Sequence, residues 1–276
     1  LIRLLMFILS PLNFLFSLWK KLVNKVFKSK EEEKMSQEEL LMLLEEVEQF
    51  ISRAVLLHKG EIVGFGGLSG CGMHEIGRAA YGLEKLEKGE VVRCGVRITD
   101  CLQAIQQGIG YISKNRDSEA LILDAPIQNN IVLPSLRSLS KASFINPKSE
   151  KKLSDGEIDA FRIKCGSGRQ YVNTLSGGNK QKVSFAKWMA KGSEVVIMDC
   201  PTRGVDIGAI EFIHGKLLEK RAKGDAVLLI SSELTEIMSL SDRIYVIYEG
   251  QAVGEFRKED ATEENLGILM MGGKLA

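Results

Sequence analysis

The chain has 276 residues, 45% hydrophobic and 26% charged, enough for one large domain with a sizeable core plus an appendage. Its 37 basic and 36 acidic residues nearly cancel, which removes the electrostatic argument for nucleic acid as a partner. The five cysteines, at 71, 94, 101, 165 and 200, are odd in number and never spaced C-x-x-C, which fits a reducing compartment and argues against a disulfide frame or a zinc site.

In chain order, residues 1–30 come first as an apolar leader. Leu4 to Trp19 carries no charge, is broken by Pro11 and Asn13, and is followed by Lys20, Lys21, Lys25, Lys28 and Lys30. It is short against the roughly 20 apolar residues of a full membrane span, although the chain opens on Leu1 rather than Met, which fits a start that lies upstream. The expectation is a partial membrane segment or anchor over residues 1–28, with the lysines on the cytoplasmic side. Residues 31–50 read as a charged linker entering a helix, with Ser36 as cap and Glu39 in the capping-box position.

From residue 51 onward short apolar runs alternate with helical-looking segments. VLLHKGEIVGFGG reads as two strands joined at Lys59-Gly60. GIGYI (108–112), EVVIMDC (194–200), AVLLISS (226–232) and RIYVIY (243–248) read as further strands of a sheet covered by helices. Residues of about 120–190 contain no comparable run and read as a mostly helical insert.

The first chemical motif is GGLSGCGMHE, which follows the run Ile62-Val63-Gly64-Phe65. Gly67-x4-Gly72 has the spacing of a phosphate-binding loop, with Ser69 and Gly70 inside it, where glycines let backbone amides curl around phosphate at a helix start. That motif continues with Lys, which reaches the β- and γ-phosphates, and Ser or Thr, which binds Mg²⁺. Here Met73 and His74 stand in those places. The motif therefore leaves two readings open, a phosphate cradle or a tight packing turn. His58, His74 and His214 have no mutual spacing that suggests metal ligation and read as surface or capping residues.

The second motif is Leu175-Ser176-Gly177-Gly178-Asn179-Lys180-Gln181, followed about twenty residues later by an apolar strand ending at Asp199. Ser176 and the amides of Gly177 and Gly178 sit at a helix start, where donors and the positive dipole end face an anion. LSGG paired with such a strand resembles the ATPases of ATP-binding cassette (ABC) transporters. LSGGNKQKV, DCPTRGVDIGA, ISSELTEIMSLSDRIYVIYEGQAVGEF and the terminal GGKLA are similar to the C-terminal ATPase half of the tandem ATP-binding proteins of simple-sugar importers, the ribose/galactose/xylose type. Residues 1–49 loosely resemble the CorC/hemolysin-related cation-transporter family, through PLNFLFSLWKKL and MSQEELLMLLEEVEQ.

The resemblance to the importer ATPases implies an α/β P-loop core over residues 51–276 with a helical subdomain. It also implies ATP with Mg²⁺, sandwiched between the loop of one ATPase half and the LSGG of another. The implied partners are that second half, membrane permease subunits and a periplasmic or extracellular sugar-binding protein, at the cytoplasmic face of the cell membrane. Asp199 matches the carboxylate that holds Mg²⁺ through water, and Asp206 the residue that meets the opposite half. Cys200 occupies the place of the catalytic Glu, and its thiol, with an ordinary pKa of about 8.5, is no equivalent base. A Cys at a buried strand end is otherwise a small apolar filler. Ser232 stands where many such ATPases carry a switch His, and SKNRDSEA (113–120) lacks the coupling Gln. The expectation is a degenerate own site beside an intact signature; the alternative is a non-hydrolytic ABC-like interaction module tethered to the membrane.

Overall fold

The computed structural model of the chain describes residues 55–86, 89–141 and 144–275. The expected leader and the capped helix start at Ser36 lie outside the described residues. The strands in chain order are β1 (Ile62–Gly66), β2 (Val91–Arg93), β3 (Val96–Ile98), β4 (Ile109–Ile112), β5 (Ser140–Lys141), β6 (Phe144–Ile145), β7 (Val195–Asp199), β8 (Ala226–Ser231), β9 (Arg243–Tyr248) and β10 (Gln251–Arg257). The helices are α1 (Met73–Ala80), α2 (Cys101–Gln106), α3 (Ile127–Val132), α4 (Leu136–Leu139), α5 (Pro147–Ala160), α6 (Gly177–Lys191), α7 (Ile207–Ala222), α8 (Leu234–Leu240) and α9 (Glu263–Met270).

Six strands form the main sheet in the order β10-β9-β1-β8-β7-β4. β9, β1, β8, β7 and β4 run parallel to their neighbours, and β10 pairs antiparallel with β9 at the edge. The parallel strands are nearly continuous runs of Val, Ile and Leu because helices cover both faces. β8 is buried along its whole length. The main core gathers Val63, Phe65, Ile112, Phe185, Ile197, Leu229 and Tyr245, and a second cluster of Ile237, Ile244, Val246, Leu266, Leu269 and Met270 lies under β9.

The sheet of mainly parallel strands covered by helices expected from sequence is present, with two differences in detail. VLLH does not form a strand: the chain turns at Gly60, whose φ is +71°, and both edges of β1 are already taken by β8 and β9. β10 was not anticipated. Glu249 and Gly250 both have positive φ, 47° and 75°, the left-handed pair that closes a two-residue hairpin between β9 and β10.

Between β4 and β7 the chain builds α3 to α6 and the short β5–β6 ladder. Local chemistry starts these helices. Asn146 caps α5 by accepting the amide of Lys148, with Pro147 at the first helical position. α6 ends at Gly192, left-handed at φ 70°. Tyr81 stacks on Tyr111 at 5.3 Å and meets Trp188 edge-on at 5.9 Å, which joins α6 to β4 and the end of α1. Among the described residues no helix is long and apolar enough to cross a membrane.

Candidate functional site

β1 delivers the chain to the glycine loop, and the loop is stitched down from beneath. A Cβ at Gly67 would lie 2.4 Å from Cys71 Sγ and 2.7 Å from the Ile247 carbonyl, so only glycine fits. The Gly250 amide donates to the Cys71 carbonyl at 2.6 Å, tying the β9–β10 turn to the loop. Ser69 and Gly70 stay exposed, and a Cβ at Gly70 would meet nothing within 4 Å. Gly72, at φ +96°, precedes α1 without a side-chain cap, which leaves first-turn amides without intrahelical partners. The loop thus combines positive-φ glycines at 70 and 72 with an uncapped helix start.

Its two chemical positions face inward. Met73 is 1% exposed and joins the main core, because an apolar thioether gains more there than beside water. His74 is 8% exposed rather than on the surface, and its Nδ1 lies 2.6 Å from Asp199 Oδ1. An ionised carboxylate only accepts, so the Nδ1 proton points at Asp199. Tyr111, on β4, donates its hydroxyl to the other carboxylate oxygen at 3.0 Å. Asp199, 1% exposed at the end of β7, is thus held from both sides. Burial and the neighbouring Asp199 push the Tyr111 hydroxyl far above the ordinary tyrosine range.

Cys200 corrects a second expectation. It is not a strand filler: β7 stops at Asp199, and Cys200 leaves the sheet half-buried with φ 47°, its amide donating to the Ile230 carbonyl at 2.8 Å. A left-handed non-glycine residue costs about 1–2 kcal/mol and is held by its surroundings. Burial, and then the charge of Asp199, push its thiol up to about 11. With the cation position apolar, both Asp199 oxygens engaged by protein donors and no carboxylate at position 200, these residues do not fit a hydrated Mg²⁺ carrying nucleotide.

The signature turn is built the other way. Ser176 begins α6 at φ −63°, ψ 158° and is exposed, while Leu175 is buried beneath it. Asn179 Nδ2 donates to Ser176 Oγ at 2.9 Å, and its Oδ1 accepts the Lys164 amide at 2.9 Å. Gln181, 2% exposed, donates to the Pro201 carbonyl at 2.8 Å, tying α6 to the turn after β7. That turn carries Asp206, an exposed residue that caps α7 through the Ala209 amide at 2.9 Å. A Cβ at Gly178 would lie 2.8 Å from Asp206 Oδ2 and 3.3 Å from the Ala209 Cβ, so the second glycine of the signature packs closely against the start of α7.

Sequence reasoning passed over Tyr111 and Arg116. Tyr111 carries a hydroxyl within a buried strand, a signal that a partner must be found. Arg116 opens a π-helical turn (Arg116–Ala120) and donates to the carbonyls of Arg203 and Gly204 at 2.9 and 3.3 Å, spanning from the 113–120 stretch to the turn before Asp206. Within that stretch, hydrogen bonds from Ser113 and Asn115 and the charge of Arg78 hold the Glu119 carboxyl below its usual range. On α6, burial lowers the Lys187 ammonium to about 8 while it donates to the Ala120 carbonyl at 2.7 Å. His214 pairs with Glu236 at 3.0 Å, and His58 is exposed.

Comparison with known proteins matches this arrangement. A family model described as ABC transporter matches residues 54–203. Ribose import ATP-binding proteins RbsA of Bacillus licheniformis and Bacillus subtilis are 43% and 42% identical over 220 residues, 79% of this chain. The chain spans about half the length of these relatives, 45% of each. Two solved structures share the fold: a dimeric bacterial ABC transporter cassette, at a TM-score of 0.66 and 20% identity over 74% of this chain and 88% of that one, and a nucleotide-free ATP-binding cassette, at 0.63 and 21% over 78% and 86%. With more than half of its residues matched by the family model, and with a glycine loop, an LSGG helix start and an Asp-ended strand set around one parallel sheet, this chain belongs to the ABC transporter family.

Proposed function

We propose that the chain is a nucleotide-binding half of an ABC importer for a simple sugar of the ribose type, and that it lends its signature to an ATP site on a partner half while its own site does not hydrolyse. The observation that carries this is the asymmetry between the two helix starts. Ser176 is exposed beside Gly177, while His74 is buried against Asp199. The ribose assignment follows the names of relatives such as that of Bacillus licheniformis. ATP with Mg²⁺ is held mainly by the partner's loop, and Ser176, Gly177 and Gly178 face its phosphates, with Asp206 at the junction. The assembly includes permease subunits and a sugar-binding protein, and places this half at the cytoplasmic face of the membrane. The chain's own residues touch phosphate and never the sugar.

The test replaces Ser176 by Glu in the assembled pair. Phosphate release should fall to background with the fold intact, because a carboxylate repels the phosphate that the dipole end attracts. Unchanged release would remove the composite site and leave the chain a non-hydrolytic interaction module.

A further inference from the structure

Cysteine spacing argues against a metal in this sequence, yet the fold gathers three different ligand types at one point. His74 enters from the first turn of α1, Asp199 from the end of β7, and Cys200 from the turn that follows. One ligand atom from each lies within 4.8 Å of the other two. We propose that this chain binds a zinc-class divalent cation through His74, Asp199 and Cys200, at the place where its relatives' fold would seat nucleotide-bound Mg²⁺.

Donor chemistry selects the metal. Imidazole and thiolate suit Zn²⁺, Co²⁺ or Ni²⁺ and are poor ligands for Mg²⁺, which takes oxygen donors and keeps its waters. The spacing suits it as well. Zinc binds His at about 2.0–2.1 Å and Cys at about 2.3 Å, so tetrahedral ligand atoms stand about 3.3–3.8 Å apart. The separations, none above 4.8 Å, need to settle to that range, and the 2.6 Å contact between His74 and Asp199 needs to open by about 0.7 Å. Tyr111 already supplies the outer hydrogen bond, holding Asp199 Oδ2 at 3.0 Å, and the cation displaces the proton that His74 Nδ1 shares with Oδ1. The left-handed backbone at Cys200 takes that residue out of β7 and places its sulfur beside His74 and Asp199. Three protein ligands leave a fourth position open, the arrangement of a zinc site that admits water or an anion.

The inference does not rest on the composite-site reading, because it is read on the single chain without nucleotide or partner. Co²⁺ is titrated into the purified, reduced chain and followed by absorption, with Zn²⁺ and Mg²⁺ as competitors. The expected result is a saturable thiolate-to-cobalt charge-transfer band in the near ultraviolet, with visible bands of a four-coordinate ion, abolished by Zn²⁺ and not by millimolar Mg²⁺. Cys200→Ala and the milder Cys200→Ser should both remove the charge-transfer band, and His74→Ala should weaken binding by at least about tenfold. Cys94→Ala, which removes an exposed thiol, should change neither. Circular dichroism checks that each variant is folded. The proposal is overturned if no saturable band appears, if the band survives in Cys200→Ser, if it vanishes in Cys94→Ala, or if Mg²⁺ displaces Co²⁺ as readily as Zn²⁺ does.

Discussion

The glycine loop at 67–74 and the signature turn at 175–181 each start a helix, and they use their side chains in opposite ways. At the loop, Met73 sinks into the core and His74 is drawn to the buried carboxylate of Asp199. At the turn, Leu175 and Gln181 go inward, Ser176 remains exposed, and Asn179 steadies its hydroxyl. A phosphate site needs donors and charge that the protein has not already used. The loop's side chains at 73 and 74 are taken up by the core and by Asp199, whereas the Ser176 side chain at the turn stays exposed. Substitutions at the loop should therefore act on stability, and substitutions at the turn on the activity of an assembled pair.

The largest stability effect is expected at Asp199. Asp199→Ala leaves His74 Nδ1 and the Tyr111 hydroxyl without their acceptor in a buried place, which should cost about 2–4 kcal/mol. Urea unfolding with fixed slope reads it, and a loss under about 1 kcal/mol would mean that water already shares this pocket.

The inner face of the signature helix offers a pH test of intermediate size. The Lys187 ammonium titrates at about 8 in the folded chain against an ordinary 10.5, through burial. Below pH 8 both states are protonated and the difference is constant. Between about 8 and 10.5 the unfolded chain binds more protons, so stability should rise with pH, by at most about 1.4 kcal/mol per pH unit, and level off above. Lys187→Met should flatten that slope; an unchanged slope would assign it to another group.

Asp206→Ala gives the smallest stability effect and the sharpest contrast. Loss of the cap on α7 should cost about 1 kcal/mol. Phosphate release by the pair should nonetheless fall by about tenfold or more, the equivalent of at least about 1.4 kcal/mol of transition-state binding. If both changes were equally small, Asp206 would be a helix cap and no more.

The parallel strands were legible because fully buried strands must be continuous apolar runs, and β9 matches RIYVIY residue for residue. β10 was harder to see: Gln251, Glu255 and Arg257 interrupt it, since an edge strand is half solvated, although the Glu249-Gly250 turn was a usable signal. The helix after Asp206 begins at Ile207, because the aspartate itself is the cap. At the site, the missing Lys, Ser or Thr and Glu could be read from position alone. That His74 turns inward, that Tyr111 completes the carboxylate's shell and that Cys200 takes a left-handed backbone could not, because each depends on a neighbour from another strand or helix.

The central claim, that the chain's own loop does not support hydrolysis, is tested by pairing it with an ATPase half whose own P-loop lysine has been replaced, and measuring phosphate release. With Met73, His74 and Cys200 in place, release should stay at background, and Cys200→Glu alone should not raise it. The triple change Met73→Lys, His74→Ser, Cys200→Glu should restore turnover, because the three groups act on one step as a unit. Robust turnover by the unaltered chain in that pairing would contradict the account.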